Sequence, residues 1–314
     1  MGNEAQTHDL DRMKRRGRIM RRSASFNVAH AVDDLAPAPR AQSIQRPLTQ
    51  LAHVAINGSE NPGGAPLGDI VAISGRPKAS VHRMLNALIT MGYVERCEDS
   101  GYRLGVQSQI LGQLAQKSAD PALEESESSL LRLAELTQDT AFLTLRTGSY
   151  SICARREDGF GPIFNNALAV GDRHPLGIGA GSLAIMTQFA DAEVDAFFDA
   201  NDRILAERYP KVSVPGLKDI IRRGRHDGFV HNPGLFAQGS WAIGVPVRIK
   251  GRQPRAALSI ASIEERMTGA RVFELAALLH HEAHQIAAAV TDRAASNDEL
   301  CDRDDGPTGM EGHL

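Results

Sequence analysis

The stretch from Leu67 to Leu104 limits the fold of this chain more than any other. Leu67, Ile70, Val71 and Ile73 form a short apolar segment that stops at Ser74-Gly75, where glycine supplies the positive φ of a tight turn. Pro77 suits the first turn of a new helix, because its missing N–H has no helical partner to lose there. Val81, Met84, Leu85, Leu88 and Ile89 then recur at i, i+3, i+4, i+7 and i+8, which predicts an amphipathic helix to about Met91. The runs Tyr93–Arg96 and Tyr102–Leu104 flank a turn at Asp99-Ser100-Gly101, so a hairpin follows. Helix, turn, helix and hairpin in that order read as a winged helix-turn-helix.

The face left over on the third helix carries His82, Arg83, Asn86 and Thr90, with Lys78 and Ser80 at its N-terminal end. That is the end a recognition helix places in the major groove. Arg and Lys reach guanine acceptors, Asn pairs with adenine, and Ser or backbone N–H groups hold phosphate. Arg76 adds a charge beside this face, and Arg96 and Arg103 on the hairpin can approach the phosphate backbone. An ordinary amphipathic helix would show the same periodicity; the preceding turn and following hairpin favour a reader of double-stranded DNA.

A length of 314 residues suits two domains with tails. The formal net charge of −3 means that any pull on DNA must come from a local patch. No apolar run reaches the ~18–20 residues that span a bilayer, and the basic N-terminus lacks the apolar core of a secretory signal. Three cysteines, Cys97, Cys153 and Cys301, are too scattered for a disulfide framework or a zinc knuckle. Together these features point to a cytoplasmic protein.

Residues 1–42 read as a disordered basic extension, with seven Lys or Arg between Asp11 and Arg22. The winged domain is placed at 43–104, opening on a helix with Ile44, Leu48, Leu51, Ala52 and Ala55 on one stripe. A linker helix spans 105–120, with Val106, Ile110, Leu111 and Leu114 aligned. The region 121–292 alternates helical and strand patterns: a helix from Pro121 to about Asp139, strands at Thr140–Arg146, Ser149–Arg155, Ile163–Ala169, Ser240–Lys250 and Arg255–Ile263, and a long final helix. That predicts an α+β sheet domain. Residues 293–314 read as a disordered acidic tail.

Ser74-Gly-Arg-Pro-Lys-Ala-Ser-Val-His-Arg-Met-Leu-Asn-Ala-Leu88, Met91-Gly-Tyr-Val-Glu-Arg96 and Gly101-Tyr-Arg-Leu-Gly105 resemble the IclR family of transcriptional regulators. Arg76 stands where members commonly have Leu, and Ala79-Ser80 where they have Ser-Thr. Val170–Ala184, Gly228-Phe-Val, Trp241–Val247 and Ala257-Leu-Ser-Ile260 resemble the family's effector domain, so the likeness covers about 43–291. The resemblance implies a GAF-like α+β effector-binding domain, self-association as a dimer or dimer of dimers, and a small organic acid as effector; from the residues themselves no cofactor or metal is expected. It implies a pocket at Gly179, Ala180, Gly181, Ser182, Asn232, Ala242, Ile243 and Ser259. Many members have Asp at the position of Asn232, Cys or a similar small residue at Ala242 and a second Ser at Ala261. Those departures, with Trp241 and Phe236 nearby in sequence, favour an aromatic or apolar acid.

Gly177, Gly179 and Gly181 lack the spacing of a dinucleotide fingerprint. Ser182 lacks the second glycine of a nucleophile elbow, since Ala184 stands there. His280, His281 and His284 do not complete a zinc motif. A small-acid enzyme with an N-terminal interaction domain is the alternative, but no nucleophile–base pair or cofactor loop supports it.

Overall fold

Helix α1 (Gln42–Ser59) turns Leu51 and Val54 towards Ile70 of α2 (Leu67–Ser74) and towards Val81, Leu85 and Leu88 of α3 (Lys78–Thr90). The computed structural model describes residues 42–59, 61–116, 120–160, 168–237 and 239–304. Gly75, at φ 60° and ψ 15°, ends α2 in the left-handed conformation and lets α3 begin after Pro77. Strands β1 (Val94–Arg96) and β2 (Tyr102–Leu104) form the antiparallel wing. Ala65 extends it, with Ala65 N donating to Tyr102 O at 2.7 Å and Tyr102 N to Ala65 O at 2.9 Å. Val94 and Tyr102 close the small core from that side. Each such buried side chain contributes about 1.5–3 kcal/mol of transfer free energy. Helix α4 (Val106–Gln116) follows, anchored where Ser108 Oγ donates to Tyr93 O at 2.8 Å, and it buries none of its own residues.

The chain forms two compact units, the main division falling after Ser118. Asp120 opens the second by accepting a hydrogen bond from Ala122 N at 3.0 Å, with Pro121 in the first turn. The expected single helix from Pro121 is two, α5 (Pro121–Glu125) and α6 (Glu127–Thr137). At the break, Ser126 Oγ donates to Leu123 O, the local side-chain bond by which serine competes with a continuous helix.

Strands β3 (Thr140–Thr147), β4 (Tyr150–Glu157), β5 (Arg173–Pro175), β6 (Val230–Ala237), β7 (Ser240–Val247) and β8 (Ala256–Ser262) make a six-stranded sheet in the order β5-β4-β3-β8-β7-β6. One face packs on α6 and the last helix, α10 (Ala270–Asp304), through Leu143, Ile243, Val245, Leu258, Ile260, Leu279 and Ile286. The other faces α7 (Ala180–Met186), α8 (Asp191–Arg208) and α9 (Val214–Asp227), through Leu183, Phe198, Leu217, Ile220, Val230 and Ala257. An N-terminal helix-turn-helix followed by an α+β sheet domain is the expected fold class.

Two further details depart from the sequence reading. Edge strand β6 was not expected, because Pro233-Gly234 interrupts its pattern; its pairing with β7 shifts between Asn232 and Ala237, where an edge tolerates such residues. The final helix runs to Asp304, past the tail placed at 293, since no proline or glycine interrupts the chain before Gly306. The basic arm, and most of the strand expected at 163–169, lie outside the described residues. No described helix is long and apolar enough to cross a membrane.

Candidate nucleic-acid interface and ligand-binding face

Burial divides α3 cleanly. Val81, Leu85 and Leu88 point into the core, while Lys78, His82, Arg83 and Asn86 are exposed. Ser80 and Arg76 are half-buried at the helix start, and Arg76 N donates to Ser74 Oγ at 3.3 Å. The helix contains no acidic residue, so the exposed face is electropositive. Asn86 Nδ2 donates to His82 Nδ1 at 3.4 Å, which aligns two of the expected base-reading groups one turn apart. On the wing, Arg96 is exposed, whereas Arg103 pairs with Glu95 directly opposite on β1, an interaction that raises the Arg103 pKa. The wing therefore presents Arg96 with less internal compensation than Arg103. A cleft between α3 and the wing is lined by Asn61, Leu67, His82, Arg96, Ser100 and Tyr102. Asn61 and Ser100 escaped the sequence reading because they lie in loops without periodicity.

In the second unit, strand register decides which side chains share a face. Ser259 pairs with Phe142 on β3 and Gly244 on β7, and Ala261 pairs with Thr140 and Ala242, which in turn pairs with Asn232. Phe142, Ser259, Ala261, Ala242 and Asn232 thus lie in two adjacent rows on the face that carries α7. Helix α7 comes close because Gly244 lacks a side chain: a Cβ there would stand 2.5 Å from Ala180 O. Gly181 is packed as tightly, since its Cβ would meet Thr144 Oγ1 at 2.4 Å. Ser182 is buried and accepts a hydrogen bond from Gly177 N at 2.7 Å, which fixes the glycine-rich turn. Asn232 Oδ1 accepts from Leu235 N at 3.1 Å.

Of the expected pocket residues, Ala180, Gly181, Asn232, Ala242 and Ser259 converge on this face, with Gly179 and Ser182 in the turn and first turn of α7 beside it. Ile243 does not: it is fully buried on the opposite face against α10. Trp241 follows it there and stacks near His231 at 5.2 Å, so it cannot line the pocket with its ring. Adjacent strand residues point to opposite faces, so Ala242 and Ile243, both implied by the resemblance, cannot share one. The side chain of Phe236 is outside the described set. Thr140, Phe142, Thr144 and Arg156 belong to this face and were missed, because their side is set by long-range pairing.

The chain matches the profile of the IclR helix-turn-helix domain over residues 59–97 and that of the bacterial transcriptional regulator IclR C-terminal domain over residues 119–288. It is 28% identical over 227 residues to the HTH-type transcriptional regulator KipR of Bacillus subtilis, covering 70% of this chain and 88% of that one. It is 23% identical over 250 residues to the acetate operon repressor of Salmonella typhimurium, covering 79% and 89%. A crystal structure of an IclR-type transcriptional regulator from Alicyclobacillus acidocaldarius superposes with a TM-score of 0.59 at 19% identity, covering 78% of this chain and 98% of that one. An IclR homolog from Microbacterium hydrocarbonoxydans, solved in complex with 4-hydroxybenzoate, gives a TM-score of 0.58 at 18% identity, with the same coverage. These two likenesses are of fold.

Proposed function

The chain belongs to the IclR family of DNA-binding bacterial transcriptional regulators, and on that premise we propose that α3 reads an operator under the control of a small organic acid, aromatic or apolar in its body, bound on the α7 face of the second unit. The observation that carries the DNA half is the division of α3, with one side buried and Lys78, His82, Arg83 and Asn86 presented together on the other. Arg76 and Ser80 stand at the start of α3, and Arg96 and Arg103 on the wing meet the phosphates. The ligand half is supported by the convergence of Ala180, Gly181, Asn232, Ala242 and Ser259, and by the absence of an acid at position 232 that would repel a carboxylate. The solved relative that holds 4-hydroxybenzoate is consistent with an aromatic acid in such a domain.

Self-association is part of this reading. Val106, Ile110, Leu111 and Leu114 leave α4 with an exposed apolar stripe, each 42–59% exposed, and a second copy of the same helix covers such a stripe symmetrically. A two-fold assembly presents two recognition helices to two half-sites. Effector binding then changes operator affinity as a coupling between two sites. Titration of an operator selected from a random DNA pool tests the first step: Arg83→Ala weakens specific binding by about 1–3 kcal/mol if Arg83 contacts a base, and full affinity in that variant removes α3 as the reading helix.

A further inference from the structure

We propose that the connection between β7 and β8, residues 248–255, is a second nucleic-acid contact, which holds the phosphate backbone of DNA flanking the operator without reading its sequence. This inference rests on the chain's place in a family of DNA-binding regulators. It does not depend on which helix reads bases or on what the second unit binds. The connection runs Arg248-Ile-Lys-Gly-Arg-Gln-Pro-Arg255, with Arg248, Lys250, Arg252 and Arg255 and no acid, in a chain whose formal net charge is −3. It leaves the sheet at the end of two interior strands, beyond the pair Val247 and Ala256. Arg252 N donates to Ile249 O at 3.1 Å and closes a four-residue turn, with Gly251 at φ 74°, the positive φ that a type II turn asks of its third residue. Ile249 packs back against the core, while Arg248, Lys250, Arg252 and Arg255 are all exposed.

Little of this charge is compensated internally. Arg255 pairs with Asp120 at 3.1 Å. Arg248 Nε donates to Gln188 Oε1 at 2.7 Å, a neutral partner. Among the described residues, Lys250 and Arg252 make no ion pair. Neighbouring groups feel the excess. Arg146 N donates to Arg255 O at 2.7 Å, and burial together with the charge of Arg255 lowers the Arg146 pKa against the pull of Glu193. Burial and the charge of Arg248 lower the pKa of His280 in the same way. The chemistry of the tip then selects the partner. It offers positive charge, the Gln253 amide and the backbone at Gly251, where an added Cβ would meet nothing within 4 Å. No aromatic residue or Met stands in 248–255, whereas protein interfaces concentrate these and are depleted in Lys. Arg, Lys, Gln and backbone N–H groups are the usual holders of phosphate. In sequence, Asp120 follows Gln116, the last residue of α4, by four positions. That short tether to the winged unit keeps the connection at high effective concentration near bound DNA.

The test compares the full-length wild type with the double variant Lys250→Gln, Arg252→Gln, by fluorescence anisotropy over roughly 50 to 200 mM salt. Three duplexes are used: a selected operator with long flanks, the same operator trimmed of its flanks, and a random duplex of the longer length. The double variant binds both long duplexes more weakly by the same factor, because phosphate contacts carry no sequence information. Its plot of log affinity against log salt is shallower by about 2 for each copy of the connection, at ~0.9 per phosphate released. Over that salt range the wild type loses about tenfold more affinity than the variant. On the trimmed operator the two proteins bind alike. Equal salt slopes on the long duplexes overturn the proposal. A variant that changes its state of assembly in sedimentation and keeps the wild-type salt slope also overturns it, since the connection then meets a second copy of the chain. Arg83→Ala, measured alongside, keeps the α3 reading separate: it changes the discrimination between operator and random duplex, which the double variant leaves intact.

Discussion

His174 carries a cost that shows how single residues tune this protein. It lies in β5 and is buried, and burial pushes its pKa down to about 4. In the unfolded chain an imidazole titrates near 6.5, so below that pH the unfolded state takes up a proton that the folded state resists. Stability is therefore complete above pH 6.5, falls as pH drops through the window, and levels off near pH 4. The full loss is about 3 kcal/mol. Urea denaturation at pH 7 and pH 5 reads it, and His174→Gln flattens that part of the profile; an unchanged slope in the variant would place the titration elsewhere. Glu282 works in a lower window. Burial alone would raise its pKa, but hydrogen bonds from Arg132 and Ser129 outweigh burial and hold it below the ordinary range. Its ion pair with Arg132, at 2.6 Å, ties α6 to α10 until acid protonates it.

At the scale of elements, the approach of α7 to the sheet is what builds the face proposed to hold the ligand. Gly244→Ala places a methyl 2.5 Å from Ala180 O, so the helix must move or the strand must bend. Overpacking of this kind costs about 1–3 kcal/mol. The variant melts lower and loses acid binding while its operator binding without effector persists; retained acid affinity would show that α7 does not frame the pocket. The same element shows why part of the site was legible and part was not. The α3 stripe of Val81, Leu85 and Leu88 can be read because helical periodicity is local. The glycine-rich turn before α7 can be read because its residue types are distinctive. Phe142 and Arg156 could not be read, since their common face depends on pairings with β8 and across a bulge in β4. Ile243 came to the pocket through the family resemblance, and the alternation of β7 sends it, with the neighbouring Trp241, to the other side. Edge strand β6 hid behind Pro233-Gly234 for a similar reason: its partner strand, not its own pattern, makes it a strand.

At the scale of the whole molecule, a family of regulators sets the function and the chain's own residues set the details. If the exposed stripe on α4 is the proposed self-association surface, Leu111→Glu, which places charge in its middle, leaves only monomers in analytical ultracentrifugation and weakens operator binding by the loss of the second half-site. A variant that stays assembled would move the interface away from α4. The claim that joins both units is that occupancy of the α7 face changes what α3 binds. Its most direct measurement is the affinity for a selected operator, at fixed salt, with and without a saturating acid already shown to bind the protein. The account predicts a change of about 5- to 150-fold, with the operator shifting acid affinity by the same factor. An acid that binds tightly and leaves operator affinity unchanged would contradict it.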